Sequence, residues 1–247
     1  MSREAWIDGR FAPAGPAAGD DEGLFETIGS FAGRLPLWER HLDRLRCGAA
    51  RIGLECAPPR ELHEAALALL ARNGDDVVRV TLSPGHAGRR WTLTTRSRDR
   101  EPGPVAVVLA SEARAPHERD DLKVTSRVRL DAWRAAARAR GAHDALLWRD
   151  GRLLEATSYN VFVHEAGRWR TPPADGAILP GVARAILLAA GCAVEEPVPL
   201  AALPGRPLVL SNAVYGVRAA FLAGGEPPAE VPGLDDLRAA LAAALRS

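Results

Sequence analysis

Lysine is almost missing from this chain. Of the 32 basic residues among 247, Lys123 is the one lysine and the other 31 are arginine. Cysteine is scarce as well. Cys47, Cys56 and Cys192 share no short spacing, which excludes a CxxC pair, a zinc ligand pattern and a disulfide framework. Aromatic residues make up only 5% of the chain, and the net charge is +1 with arginines interspersed among acids. No broad basic face is available, so neither nucleic acid nor a membrane surface is expected as a partner. Long apolar runs are absent too. Ala185 to Ala190 is among the longest, far below the roughly 20 residues of a membrane span. The opening residues lack an apolar secretory stretch, which with the unpaired cysteines predicts a cytoplasmic protein. Neither GxGxxG nor GxxxxGK[ST] occurs, so dinucleotide and P-loop folds lack their phosphate cradle.

What remains is ordinary globular material, 47% hydrophobic and 26% charged. The length suits one large domain or two modest ones. Trp6 to Phe11 reads as a hairpin turning at Asp8-Gly9. Leu24 to Ile28 reads as a strand, and Phe31 to Leu35 as a second hairpin. Leu37, Leu42, Leu45, Ala49 and Ile52 recur at helical spacing, and a second helix spans about Pro59 to Asn73, ended by Asn73-Gly74. Strands follow at Val77–Leu82, Trp91–Thr95 and Val105–Leu109. The run at 111–121, SEARAPHERDD, is polar and irregular and reads as a linker. It separates an N-terminal domain, 1–110, from a larger domain, 122–247. In the second half, Leu122–Arg127 is extended and Leu130–Arg140 helical. Asp144–Trp148 and Leu153–Glu155 pair across Asp150-Gly151. Val161–Val163 and Arg168–Arg170 form a hairpin, Pro180–Ala190 a helix, Pro207–Ser211 a strand and Leu234–Arg246 a closing helix. Short hairpins mixed with helices predict an α+β fold with mixed and antiparallel sheets.

A primary amine can do what a guanidinium cannot: form a Schiff base with a carbonyl and cycle through a neutral form as a base. Three further features suit the same chemistry. Glu155 closes a strand before a small-residue loop. Gly181, at the start of a helix, removes the side chain there, so the free N–H groups of the first turn could face an anion. Arg44 lies on the first long helix. A lysine, an acid for a ring nitrogen, an arginine and a helix N-terminus for a phosphate together suit pyridoxal 5′-phosphate.

The segment GLFETIGSFAGRLPLWERHLDRL resembles the N-terminal signature of the class IV aminotransferases, the fold-type IV pyridoxal-phosphate enzymes. GAHDALLWRDGRLLEATSYNVFV, TPPADGAILPGVAR and LVLSNAVYGVRAA resemble the later motifs of that family, in the same order over about residues 6–220. The resemblance implies a two-domain fold-type IV architecture, a homodimer and a small-molecule amine substrate. It implies that Lys123 carries the cofactor and then moves the proton, and that Glu155 pairs with the pyridine nitrogen. Arg44, the N–H groups of Val182 and Ala183, and Asn212 with Ala213 would hold the phosphate. One departure stands out. The stretch before Phe25, PAGPAAGDDEG, is shorter than the family's and lacks its arginine.

Within the family, Lys123-Val124-Thr125-Ser126-Arg127 resembles 4-amino-4-deoxychorismate lyases, which carry an arginine at the place of Arg127. That arginine would meet the cofactor's phenolate oxygen. The run from Arg79 to Trp91 resembles the same subgroup, with Arg89 or Arg90 gripping a substrate carboxylate. The expected reaction is loss of pyruvate from aminodeoxychorismate to give 4-aminobenzoate. A class IV transaminase acting on D- or branched-chain amino acids shares the first proton transfer and stays open as an alternative. So does a non-catalytic relative, motivated by the shortened loop.

Overall fold

The computed structural model describes residues 3–15, 22–85, 89–99 and 103–246. The chain divides into two compact units. The first holds the described residues up to 99 together with Leu122–Ser126; the second holds 103–121 and Arg127–Arg246. The polar run expected as a linker at 111–121 is therefore shared out differently. It belongs to the second unit and carries two buried charges, Arg114 and Asp120. Its extended continuation stays with the first unit, because Leu122–Thr125 runs alongside a strand there. Phe25 N–H donates to the Lys123 carbonyl at 2.9 Å, and Thr125 N–H to the Gly23 carbonyl at 2.8 Å.

The first unit is a five-stranded antiparallel sheet with two helices. Strands β1 (Glu4–Ile7), β2 (Arg10–Pro13), β3 (Leu24–Gly29), β4 (Val77–Ser83) and β5 (Arg90–Arg96) lie in the order β2-β1-β5-β4-β3. Asp8 and Gly9 both adopt positive φ, which lets the expected hairpin turn with the twist of its strands. Phe31 to Leu35 makes only one bridge, Phe31 to Arg34, around a positive-φ Ala32-Gly33 turn. It is a bend leading into α1 (Trp38–Arg51) and not a hairpin of two strands. Helix α2 (Leu62–Asn73) ends where Gly74 takes the left-handed conformation. Alternation along β4 sends Val78, Val80 and Leu82 into the core with Trp91, Leu93 and the apolar faces of both helices.

The second unit is an eight-stranded mixed sheet. Its strands are β6 (Val105–Leu109), β7 (Asp144–Arg149), β8 (Arg152–Ala156), β9 (Asn160–Glu165), β10 (Arg168–Thr171), β11 (Val194–Glu195), β12 (Leu208–Asn212) and β13 (Gly216–Leu222). The order is β11-β10-β9-β12-β13-β6-β7-β8. Parallel pairing occurs at β10/β11, β13/β6 and β6/β7, and antiparallel pairing elsewhere. The helices are α3 (Val128–Ala139), α4 (Val182–Ala189) and α5 (Leu234–Arg246). α3 covers β7, while α4 and α5 pack together beside β12 and β13. The α+β expectation holds, with mixed sheets. Among the described residues no helix is long and apolar enough to cross a membrane.

Candidate active site

The residues singled out by sequence fall on both units, and each unit's part has its own geometry. In the first unit Lys123 runs beside β3. Its amine lies 4.8 Å from the centre of the Phe25 ring, and the Arg79 guanidinium lies 3.7 Å from the same ring. Phe25 and Thr27 project from one face of β3, whereas Leu24, Glu26 and Ile28 project from the other. The single amine of the chain is thus placed on a definite sheet face, against an aromatic wall and a second cation.

Arg44 belongs to a buried triad on the other face. Its Nε and Nη2 donate to Glu26 Oε1 and Oε2, both at 2.7 Å, and His41 Nδ1 meets Oε2 at 2.7 Å. Glu26 and His41 are each 1% exposed. Arg44 and His41, one turn apart on α1, face a carboxylate from β3, so the arginine's orientation is fixed from two sides. Burial pushes the Glu26 carboxyl up, but the Arg44 charge, the His41 charge and their hydrogen bonds outweigh it and hold the group below the usual carboxylate range. Burial pulls His41 down against the opposing effect of Glu26. Both depressed values mean that the unfolded chain takes up more protons as the solution turns acid. Stability therefore falls as the pH drops below His41's ordinary 6.5, and falls further below Glu26's ordinary 4.5. In Glu26→Gln the second part disappears, removing up to about 1.4 kcal/mol per pH unit of acid slope. Urea unfolding at a series of pH values measures it.

Arg89 and Arg90 already have acidic neighbours. Arg89 Nη1 lies 2.6 Å from Glu55 Oε2, and Arg90 Nε lies 3.7 Å from Asp8 Oδ2. The Gly-rich tip between them and Gly85 lies outside the described residues, as does most of the shortened loop before Phe25.

In the second unit, Arg127 and Asn212 donate to the turn that follows Glu155, Val182 and Ala183 begin α4, and Ala213 follows β12. Thr157, Ser158 and Tyr159 join β8 to β9, closed by Ala156 N–H donating to the Tyr159 carbonyl at 2.8 Å. Glu155, 7% exposed, is the last residue but one of β8. Its Oε2 accepts from Leu179 N–H at 3.2 Å, and the Leu179 carbonyl accepts from Asn160 Nδ2 at 2.9 Å. Leu179 is pinned from both sides, two residues ahead of Gly181, and this fixes the start of α4 with respect to Glu155. At Gly181 a Cβ would collide with Oδ1 of Asn160, whose amide is held by the Leu179 carbonyl, so the position favours glycine. No side chain caps α4 and no acid stands in its first turn. Those first N–H groups meet what an anion needs. Asn212 spends its side chain inside the unit. Its Nδ2 donates to the Ser158 carbonyl at 3.1 Å, and its Oδ1 accepts from Val214 and Tyr215 N–H. Arg127 Nη2 donates to the Thr157 carbonyl at 2.8 Å.

Sequence reading missed Arg114, which is 5% exposed. Its Nη1 donates to Glu155 Oε1 at 2.9 Å, and its Nη2 lies 2.7 Å from Asp120 Oδ1. Arg149 Nη2 in turn donates to Asp120 Oδ2 at 2.6 Å. The Glu155 carboxylate is thus held at one oxygen by a guanidinium and at the other by a backbone N–H.

The family model for aminotransferase class IV matches residues 23–220. The chain belongs to that family, whose members are pyridoxal-5′-phosphate enzymes. A Schizosaccharomyces pombe protein provisionally named an aminodeoxychorismate lyase is 28% identical over 182 residues, covering 72% of this chain and 78% of its own. The solved structure of a Legionella pneumophila protein, provisionally named a 4-amino-4-deoxychorismate lyase, matches with TM-score 0.83 at 22% identity. It covers 93% of this chain and 96% of its own. A branched-chain aminotransferase from Thermoproteus uzoniensis, solved with norvaline, matches with TM-score 0.84 at 20% identity over 100% of this chain and 96% of its own. The fold is that of the fold-type IV aminotransferases.

Proposed function

We propose that this enzyme is a pyridoxal-phosphate-dependent 4-amino-4-deoxychorismate lyase. The observation that carries the reading is Arg127, four residues after Lys123, with its guanidinium turned onto the Thr157 carbonyl two residues beyond Glu155. The name given to the fission-yeast relative supports it. The residues present fit the cofactor. The α4 start, where the nearness of Asn160 favours glycine, offers the N–H groups of Val182 and Ala183 to a phosphate. Arg44, oriented by Glu26, would give the first unit a charge-assisted donor for a phosphate. Asn212 and Ala213 contribute by the turn they form, the Asn212 side chain being the brace of that turn.

Pyridoxal 5′-phosphate, when bound, supplies an aldehyde for covalent attachment and a protonated ring that draws electrons from the amine-bearing carbon. Lys123 would provide the amine for attachment and afterwards remove the proton from that carbon. Glu155, its own position set by Arg114 and the Leu179 N–H, would keep the ring nitrogen protonated. Arg127 would lie against the cofactor's phenolate oxygen. Arg89 or Arg90 grips a substrate carboxylate, exchanging Glu55 or Asp8 for it. The ring C–O bond to the enolpyruvyl group would then break, that group would take up the proton removed by Lys123 and leave as pyruvate, and the ring would become aromatic as 4-aminobenzoate.

A class IV transaminase is the second reading, favoured by the full-length match to the Thermoproteus aminotransferase fold. Purified protein given aminodeoxychorismate is expected to release pyruvate and 4-aminobenzoate. D-Alanine or L-leucine with 2-oxoglutarate is expected to yield no keto acid from the donor. Keto acids from the amino acids, without 4-aminobenzoate, would replace the lyase with the transaminase.

A further inference from the structure

Asp144 is an acid that the proposed chemistry leaves unused, although it is 0% exposed. It opens β7, and all its hydrogen bonding falls on one oxygen. Oδ1 accepts from Ala145 N–H at 2.7 Å, from Thr157 N–H at 3.1 Å and from the Thr157 hydroxyl at 2.5 Å. Oδ2 is buried with no hydrogen-bond partner. Thr157 N–H also donates to the Ala145 carbonyl at 3.2 Å. Burial pushes the Asp144 carboxyl up, against the pull of the Thr157 hydroxyl, the Ala145 N–H and Arg134. Burying an acid so deeply is costly unless its partners need it there.

Thr157 is the residue whose carbonyl takes Arg127 Nη2 at 2.8 Å. It is therefore clamped through its N–H and hydroxyl while its carbonyl is directed at the arginine. The rest of the Arg127 side chain is only loosely tied, with Nε 3.5 Å from Asp131 Oδ1, an acid 62% exposed. We infer that Asp144 and Thr157 are positioning residues for Arg127: the buried carboxylate locks the Thr157 backbone, and that carbonyl sets the direction in which the guanidinium points. The inference rests on the reading of Arg127 as a cofactor contact and goes further, by assigning what aims it. A half-buried arginine without such an anchor would spread over several rotamers, and the ordering entropy would be met at each binding event.

The test titrates full-length apoprotein with pyridoxal 5′-phosphate. Visible absorbance and circular dichroism are followed at a temperature where every variant is folded. Thr157→Val removes the hydroxyl at constant shape. It is expected to weaken cofactor binding about tenfold and to shift the bound-cofactor band. Thr157→Ser, which keeps the hydroxyl, is expected to restore both. Arg127→Ala should show the same two changes, and Thr157→Val added to it should contribute nothing more, because Thr157 acts through Arg127. If Thr157→Val binds and absorbs like the parent while Arg127→Ala does not, the inference is overturned and the role of Arg127 stands. Additive effects of the two substitutions also overturn it. If Arg127→Ala itself changes neither readout, the role of Arg127 fails and the inference fails with it. Thr157→Ala, read by the same criteria, covers the case in which the valine variant does not fold.

Discussion

Turnover in Lys123→Ala falls by more than about 10³-fold, because one substitution removes both the attachment amine and the base that takes the proton. Two features of the chain make this expectation sharp. No second lysine exists to substitute for it. The other basic side chains are guanidinium or imidazole groups, and the guanidinium keeps its proton in proteins. Lys123→Arg is expected to fail just as fully, although it preserves charge and most of the packing against Phe25. The fold should survive both changes, since Lys123 is only half-buried and its place beside β3 is set by backbone hydrogen bonds. Single-turnover kinetics with added methylamine separates the roles. Partial rescue of Lys123→Ala by a free amine, with none for Lys123→Arg, is the expected pattern.

The largest expected effect on stability belongs to Arg114→Met. Arg114 lies between two buried carboxylates, Asp120 and Glu155, and its removal leaves both short of a counter-charge. Breaking a buried ion pair by deleting one partner costs about 3–5 kcal/mol, most of it the penalty of the charge left behind. Arg149 still meets Asp120, so the residual strain concentrates on Glu155. Urea unfolding should show a lowered midpoint with an unchanged denaturant slope. The triple variant Arg114→Met, Asp120→Asn, Glu155→Gln should recover much of the loss, since it removes the orphaned charges as well. A loss below about 1 kcal/mol in Arg114→Met would mean that water reaches the cluster and screens it as on a surface.

These two residues mark what the sequence reveals and what it conceals. Lys123 was legible because it is chemically unlike every other side chain present. The hairpins at Asp8-Gly9 and Asp150-Gly151, and the helix end at Asn73-Gly74, were legible because each uses positive φ, which glycine adopts freely and aspartate more readily than most other residues. Alternation in β4 was equally plain. Arg114 was hidden because it lies in a run of charges that reads as solvated. Its meaning comes from Glu155, 41 residues away. Glu26 was hidden differently, as one acid on an apolar strand. The available signal was His41 and Arg44, one helical turn apart on α1 and otherwise without a reason to be buried together. Asp144 gave no signal, because a lone acid opening a strand is an everyday surface residue. β13 escaped notice since Val217, Ala219 and Ala220 share it with Arg218, a charge in what proves to be a buried strand. β11, of two residues, lacks the length for any periodicity. Local chemistry thus survives in the sequence, whereas pairing across tens of residues has to be seen in the fold.

One covalent link carries the proposed chemistry, and the chain's composition makes that link easy to test. Purified protein incubated with pyridoxal 5′-phosphate is reduced with borohydride, digested and examined by mass spectrometry. One equivalent of reduced cofactor on the peptide containing Lys123, and an unlabelled Lys123→Ala protein under the same treatment, is the predicted result. A Lys123 peptide that stays unmodified while the intact protein still binds cofactor would contradict it.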